Sequence, residues 1–210
     1  MPPSSALPAS AAPAPTLPCL PGDGDALVVV DVQNDFLPGG PLAVADGDRV
    51  VAPLNRYIHL FQQRGLPLVF TRDWHPANHC SFHAQGGPWP PHCVAGSPGA
   101  GFAPGLHVPA NATLISKGAH AGIDAYSAFQ GTGLGAYLQR LGCRRIFVGG
   151  LATDYCVLAT VRDARQQGLA VVVLRDAIRA VAVQPEDGRR AEDEMLRLGA
   201  HPLTWDEVAP

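Results

Sequence analysis

Two hydrophobic periods alternate along the chain from about residue 26. The run ALVVVDV (26–32) is almost continuously apolar and rich in β-branched residues, the pattern of a strand buried on both faces. In DRVVAPLNRYIHLFQQRG (48–65), Val50, Val51, Leu54, Tyr57, Ile58 and Phe61 recur at helical spacing, and Gly65 closes the segment. PLVFTR (67–72) and ATLISK (112–117) read as the next two strands. TGLGAYLQRLG (132–142) reads as a helix and RRIFVGG (144–150) as a strand. Residues 154–167 predict a helix with Val157, Leu158, Val161 and Ala164 on one face. LAVVVLRDA (169–177) predicts a strand, EDGRRAEDEMLRLGA (186–200) a helix, and HPLTW (201–205) a short last strand. Strands alternating with helices predict an α/β domain with a mostly parallel sheet.

One stretch breaks the rhythm. Residues 73–111 hold Pro, Gly, His and aromatic residues without periodicity. A connection this long in a compact domain is usually functional. Ligands of open parallel sheets bind outside the carboxyl ends of the strands. Three groups sit at such ends: Asp31, Asp73 with Lys117, and the turn that leads to Cys156.

Composition narrows the class. The 210 residues suffice for one domain with a sizeable core; 47% are hydrophobic and 16% charged, a globular balance. The net charge is −3 and Lys and Arg form no long run, which argues against a nucleic-acid surface or a basic membrane patch. No stretch approaches the roughly 20 apolar residues of a membrane helix. The Pro-, Ala- and Ser-rich residues 1–24 contain no Lys or Arg and read as a flexible arm rather than a targeting signal. The domain proper is then 25–210. Five cysteines without a CxxC pair point to a reducing, cytoplasmic compartment.

Residue chemistry leaves alternatives open. Cys156 is either a small buried hydrophobe or a nucleophile at a helix start, where unpaired N–H groups lower a thiol pKa. The turn 151–156 can also aim N–H groups at one spot as an oxyanion hole. Asp31 is either a turn cap or a base facing the ligand crevice, with Asp35 the better structural cap. Lys117 is either a solvated strand-end lysine or a cation that holds Asp31 charged. Asp73, His75, His79 and His92 offer a carboxylate and three imidazoles, a set that suits Zn, Fe or Mn. Five of the eight histidines fall within residues 75–107, which weakens a reading of scattered surface histidines. His83 and His107 read as bystanders, and Cys80 and Cys93 as weaker ligands than their histidine neighbours.

Together, VVVDVQNDFLPGG, TRDWHPANHCSFH, GGPWPPHCVAGSPGAGF, KGAHAGIDAYSAF and GLATDYCVLATVRDA closely resemble the nicotinamidases, a branch of the isochorismatase-like cysteine hydrolase superfamily. The resemblance spans roughly residues 25–205. It implies a three-layer α/β/α fold, Rossmann-like, with a mostly parallel six-stranded sheet. It implies Cys156 as nucleophile, Asp31 as general base and Lys117 as catalytic lysine. Ala152 and Cys156 would supply the oxyanion hole, after a cis peptide at Leu151–Ala152. Asp73, His75, His79 and His92 match metal ligands for one divalent ion, Zn first, with Fe or Mn as alternatives. Phe36 and Trp89 match aromatics that sandwich a pyridine ring, and Tyr126 another pocket residue. The implied reaction is hydrolysis of nicotinamide to nicotinate and ammonia in NAD salvage, with pyrazinamide as a second substrate. Relatives of this kind often self-associate. The competing expectations are a superfamily amidase acting on a ureido or carbamoyl substrate, and an inert metal-binding domain.

Overall fold

The computed structural model describes residues 20–208. Six strands form one sheet: β1 (Asp25–Val30), β2 (Leu68–Asp73), β3 (Thr113–Lys117), β4 (Arg145–Leu151), β5 (Ala170–Arg179) and β6 (His201–Leu203). Their order is β3-β2-β1-β4-β5-β6 and every pairing is parallel, so the mostly parallel sheet predicted from the sequence is wholly parallel. All six predicted strands are present.

The apolar runs explain the layers. Every residue of β1 is buried, and the strand's two faces feed two cores. Leu27 and Val29 pack with Leu54, Tyr57, Ile58 and Phe61 of α1 (Val51–Gln63) and with Val208 of α5 (Trp205–Val208). Ala26, Val28 and Val30 pack on the opposite side. They meet Leu134 and Leu138 of α2 (Leu134–Arg140), Val161 and Ala164 of α3 (Leu158–Gln166), and Ala191 and Met195 of α4 (Asp187–Arg197). Helices thus cover both faces of the sheet, in three layers. Among the described residues no helix is long and apolar enough to cross a membrane.

Several boundaries differ from the sequence reading. The first residues of the helix predicted over 154–167 belong instead to a π-helical turn, Thr153–Val157, ahead of α3. β5 runs two residues further, to Arg179. The predicted strand 201–205 stops at Leu203, because Thr204 starts α5. The Thr204 N–H donates to Glu207 Oε2 at 2.7 Å and its hydroxyl to the same oxygen at 2.9 Å. The Glu207 carboxylate thus closes the helix start from its N3 position, the back-reaching half of a capping box. The aperiodic stretch 73–111 is stitched by short turns at His83–Gln85 and Pro98–Ala100.

The predicted arm lies outside the described residues up to position 19. Residues 20–24 are held on the domain: Arg64 donates to Pro21 O at 3.0 Å and Arg145 to Leu20 O at 3.2 Å. Arg145 also grips Asp25 with two nitrogens, at 2.8 and 2.5 Å, and both side chains are nearly buried. This pair joins the first residues of β1 and β4. Asp25→Ala should leave Arg145 a buried cation without that carboxylate, a loss of about 3 kcal/mol. A denaturant midpoint shift on that scale, with KM unchanged, is the expected result, because the pair lies at the opposite end of the strands from Asp31 and Cys156.

Candidate active site

Strand order creates the crevice. From β1 the chain steps outward to β2 and β3, then returns to the other side of β1 with β4. Loops therefore diverge beyond the carboxyl ends of β1 and β4, the switch point where such sheets bind ligands. Asp31 follows β1, Asp73 and Lys117 end β2 and β3, and Cys156 lies just after β4.

The two glycines before the cysteine turn have a packing reason. Gly149 and Gly150 lie in β4 against β1. A Cβ on Gly150 would stand 2.0 Å from Val30 O, and its φ of +126° belongs to glycine. Close approach of β4 to β1 brings the turn after Leu151 beside Asp31. The Leu151–Ala152 peptide is cis, as the resemblance implied.

Lys117 organises the charges. Asp73 and Lys117 are register partners across β2 and β3, and the lysine side chain reaches back toward β1. Its ammonium is fully buried and has three N–H donors. It donates to Asp73 Oδ1, to Ala125 O at 3.1 Å and to Cys156 Sγ at 3.4 Å. Asp31 Oδ2 lies 2.9 Å away, an ion pair. The other Asp31 oxygen accepts the Thr71 hydroxyl at 2.6 Å. Atoms of Asp31, Asp73 and Cys156 lie within 4.8 Å of one another, so the Asp31 carboxylate adjoins the thiol.

Burial dominates the proton equilibria. It pushes the Cys156 thiol well up, against the pull of Lys117. A lowered pKa, expected from the helix start alone, is therefore not the resting state. Burial also raises Asp31, against Lys117. Burial opposes ionisation of Asp73 too, but Lys117 and His75 outweigh it and hold Asp73 below the usual carboxylate range. Burial works against the Lys117 ammonium, yet Asp31 and Asp73 raise it well above an ordinary lysine. The resting site is a thiol beside a carboxylate, with a permanent cation between two acids.

A second group adjoins the first. One ligand atom each from Asp73, His75 and His92 lies within 4.8 Å of the others, all buried. Nδ1 of His75 contacts Gly118 O at 2.9 Å and Nδ1 of His92 contacts Pro90 O at 2.8 Å. Carbonyl partners at Nδ1 leave Nε2 for a metal and fix the orientation of each ring. Burial lowers His92, which keeps its ring neutral as ligation requires. The donor set fits a borderline divalent ion. His79 departs from the predicted quartet. Its Nδ1 meets Ser81 Oγ at 2.7 Å and its Nε2 meets Ile123 O at 3.1 Å, while its ring stacks on His75.

Cys156 and Asp73 of the first group and His75 and His92 of the second line one pocket of about 470 Å³, mouth included, with Asp31 and Lys117 buried behind it. Phe36, Trp89, Tyr126 and Ala152 line it. Trp89 Nε1 donates to Tyr126 OH at 2.9 Å. The sequence reading missed Tyr155, edge-on to Trp89 at 5.2 Å, and Val181. It also missed Thr71 and Gln33; a polar residue inside an apolar strand, as at Thr71, was the available signal. Asp35 is structural, but not as a local cap: its Oδ2 accepts the Cys93 N–H at 2.7 Å.

Comparison with known proteins agrees with this geometry. The isochorismatase domain model matches residues 25–207. A nicotinamidase of Escherichia coli is 43% identical, over 87% of this chain and 97% of its own. A nicotinamidase/pyrazinamidase of Mycobacterium tuberculosis is 41% identical over 81% and 97%. A pyrazinamidase of Pyrococcus horikoshii, solved in complex with zinc, superposes with a TM-score of 0.83 at 45% identity, covering 87% of this chain and 99% of that one. PnC1 of Leishmania infantum, solved in complex with nicotinate, gives a TM-score of 0.83 at 39% identity over 90% and 97%. With the family model spanning nearly all the described residues, the chain belongs to the isochorismatase family.

Proposed function

We propose that the chain hydrolyses nicotinamide to nicotinate and ammonia through a thioester on Cys156, and that it also deamidates pyrazinamide. One observation carries the reading: a thiol and a three-residue metal-ligand cluster line a single aromatic-walled pocket, with the buried Asp31 carboxylate directly behind the thiol. Relatives named for this activity are 38–43% identical over most of the chain. Five cysteines without a CxxC pair suit a reducing compartment, so we assign the enzyme to the cytoplasm, where nicotinate returns to NAD synthesis.

The chain's own groups account for the steps. Asp31 Oδ2 takes the thiol proton as sulfur bonds to the amide carbon, and the carbonyl electron pair moves to oxygen. The N–H groups of Ala152 and Cys156 receive that oxyanion, each donor worth about 3 kcal/mol in other hydrolases. The C–N bond then breaks, and Asp31 returns the proton to nitrogen as ammonia leaves. Water gives a proton to Asp31 and attacks the thioester. The C–S bond breaks and Asp31 reprotonates the sulfur. Lys117 stays charged throughout and offsets each anion as it forms. Phe36 and Trp89 hold the ring between them.

Asp73, His75 and His92 would hold the divalent ion, Zn first, with Fe or Mn as alternatives; His79 would join them only by releasing Ile123 O. Bound there, the ion supplies a Lewis-acid contact for the substrate's ring nitrogen.

Ammonia release from nicotinamide is the direct test. Cys156→Ala should remain folded and metal-competent but lose turnover by several orders of magnitude; near-normal rates would sink the mechanism. Iodoacetamide should label Cys156 ahead of Cys80, Cys93 and Cys143, and labelling should slow in Asp31→Asn because the buried thiol loses its proton acceptor. Substrate choice checks the ring contact. Benzamide keeps the shape and the amide but lacks the nitrogen, and discrimination against it should approach ~10⁴-fold in metal-loaded enzyme. Equal rates on benzamide and nicotinamide would remove the ring-nitrogen role, and faster turnover of a ureido or carbamoyl substrate would reassign the function.

A further inference from the structure

β1 leaves the sheet early, and that departure needs a substitute. The strand ends at Val30, and Asp31 turns the chain with φ +48°. β2 continues to Asp73, whose neighbour on the β3 side is Lys117. On the β1 side the backbone of Asp73 has no strand beside it. The side chain of Gln33 fills the place. Gln33 is fully buried. Its Oε1 accepts the Asp73 N–H at 2.7 Å, and its Nε2 donates to Asp73 O and to Ala100 O, both at 2.9 Å. One amide therefore satisfies both backbone groups of Asp73, as a β-partner would.

Two residues on, Asp35 does the corresponding work for the other half of the cluster. Its Oδ2 accepts the N–H of Cys93, the neighbour of His92. Cys93 holds φ +45°, uncommon for a residue with a side chain. Its carbonyl accepts the His75 N–H at 3.0 Å. The Cys93 peptide thus links the segments that bear His75 and His92, and Asp35 fixes that link. Gly99 packs so closely on the Asp35 carboxylate that a Cβ there would fall 2.1 Å from Oδ1.

We propose that Gln33 and Asp35 are positioning residues for the metal centre: Gln33 sets Asp73, and Asp35 sets the strand of loop that joins His75 to His92. The inference rests on the metal reading above. Neither side chain lines the pocket, and both act through backbone groups. Such outer-shell partners tune affinity because they fix ligand atoms before the ion arrives.

The test is zinc affinity, measured on metal-stripped protein by competition with a chromophoric chelator. Gln33→Met keeps the bulk and loses the amide; Asp35→Ala loses the acceptor. Each should weaken zinc binding about 10- to 100-fold, the range for lost outer-shell partners. Asp35→Asn keeps an oxygen for the Cys93 N–H and should bind zinc nearly as wild type does. Saturating zinc should restore most of the turnover, and iodoacetamide should label Cys156 in stripped Asp35→Ala protein at the wild-type rate. Wild-type zinc affinity in Gln33→Met and Asp35→Ala would overturn the inference. So would an Asp35→Asn protein as weak as Asp35→Ala, since charge rather than the hydrogen bond would then be at work. If Gln33→Met does not fold, the two Asp35 variants decide. Failure of the wild-type protein to bind zinc would remove the metal reading and this inference with it, an outcome distinct from unchanged variants.

Discussion

A single buried ammonium organises this site. Lys117 has no exposed side-chain surface and two carboxylates against it. Burying a charge costs several kcal/mol, and the cost is offset only where partners are close and well bonded. Each carboxylate alone would face the same penalty. The three groups therefore require one another, and removing one leaves a buried charge uncompensated, a loss of about 3–5 kcal/mol in comparable pairs. The arrangement also disposes of the protons. All three lysine N–H groups are committed to Asp73, Ala125 and Cys156. Asp31 Oδ2 lies 2.9 Å from the same nitrogen as an ion pair, and it is the oxygen we propose as acceptor of the thiol proton.

Such a cluster can form only because of the sheet. β3, β2, β1 and β4 lie side by side and parallel, so their carboxyl ends share one edge. Lys117, Asp73, Asp31 and the turn to Cys156 follow in that spatial order although they are far apart in sequence. A lysine on the outermost strand is long enough to cross β2 and reach the groups beyond β1. The cores on the two faces exclude water from the strand ends, which is why burial governs the thiol and Asp31 alike.

The parts legible in the sequence were those fixed by local pattern. Continuous apolar runs such as ALVVVDV mark doubly covered strands, and all six strands lie within a few residues of the predicted limits. The rule that parallel sheets act at their carboxyl ends was enough to single out Asp31, Asp73, Lys117 and Cys156. Contacts between distant segments were not legible. Gln33 to Asp73 and Asp35 to Cys93 span 40 and 58 residues, and nothing in the 73–111 stretch announces them. His79 shows the same limit: its residue type suits a metal, but Ser81 and Ile123 decide where its nitrogens go. The short α5 was legible and missed, since TWDE carries the Thr and Glu of a helix-start cap.

Asp73 is where the two halves of the site become one. Its Oδ1 accepts from Lys117, and its Oδ2 faces His75 Nε2 at 3.6 Å. The residue thus belongs to the charge cluster and to the ligand set at once. Removing its charge would disturb Lys117, and through it Asp31 and the thiol, whether or not a metal is bound. His92 is different in kind. Its ring contacts Pro90 O, Phe36, Phe82 and His75, and no group of the Lys117 cluster is among those contacts. The imidazole of His92 can therefore be lost without unbalancing the buried charges, whereas Asp73 cannot. The Asp73–His75–His92 cluster and the Cys156 thiol are thus separable from the His92 side and inseparable from the Asp73 side, because one carboxylate belongs to both groups.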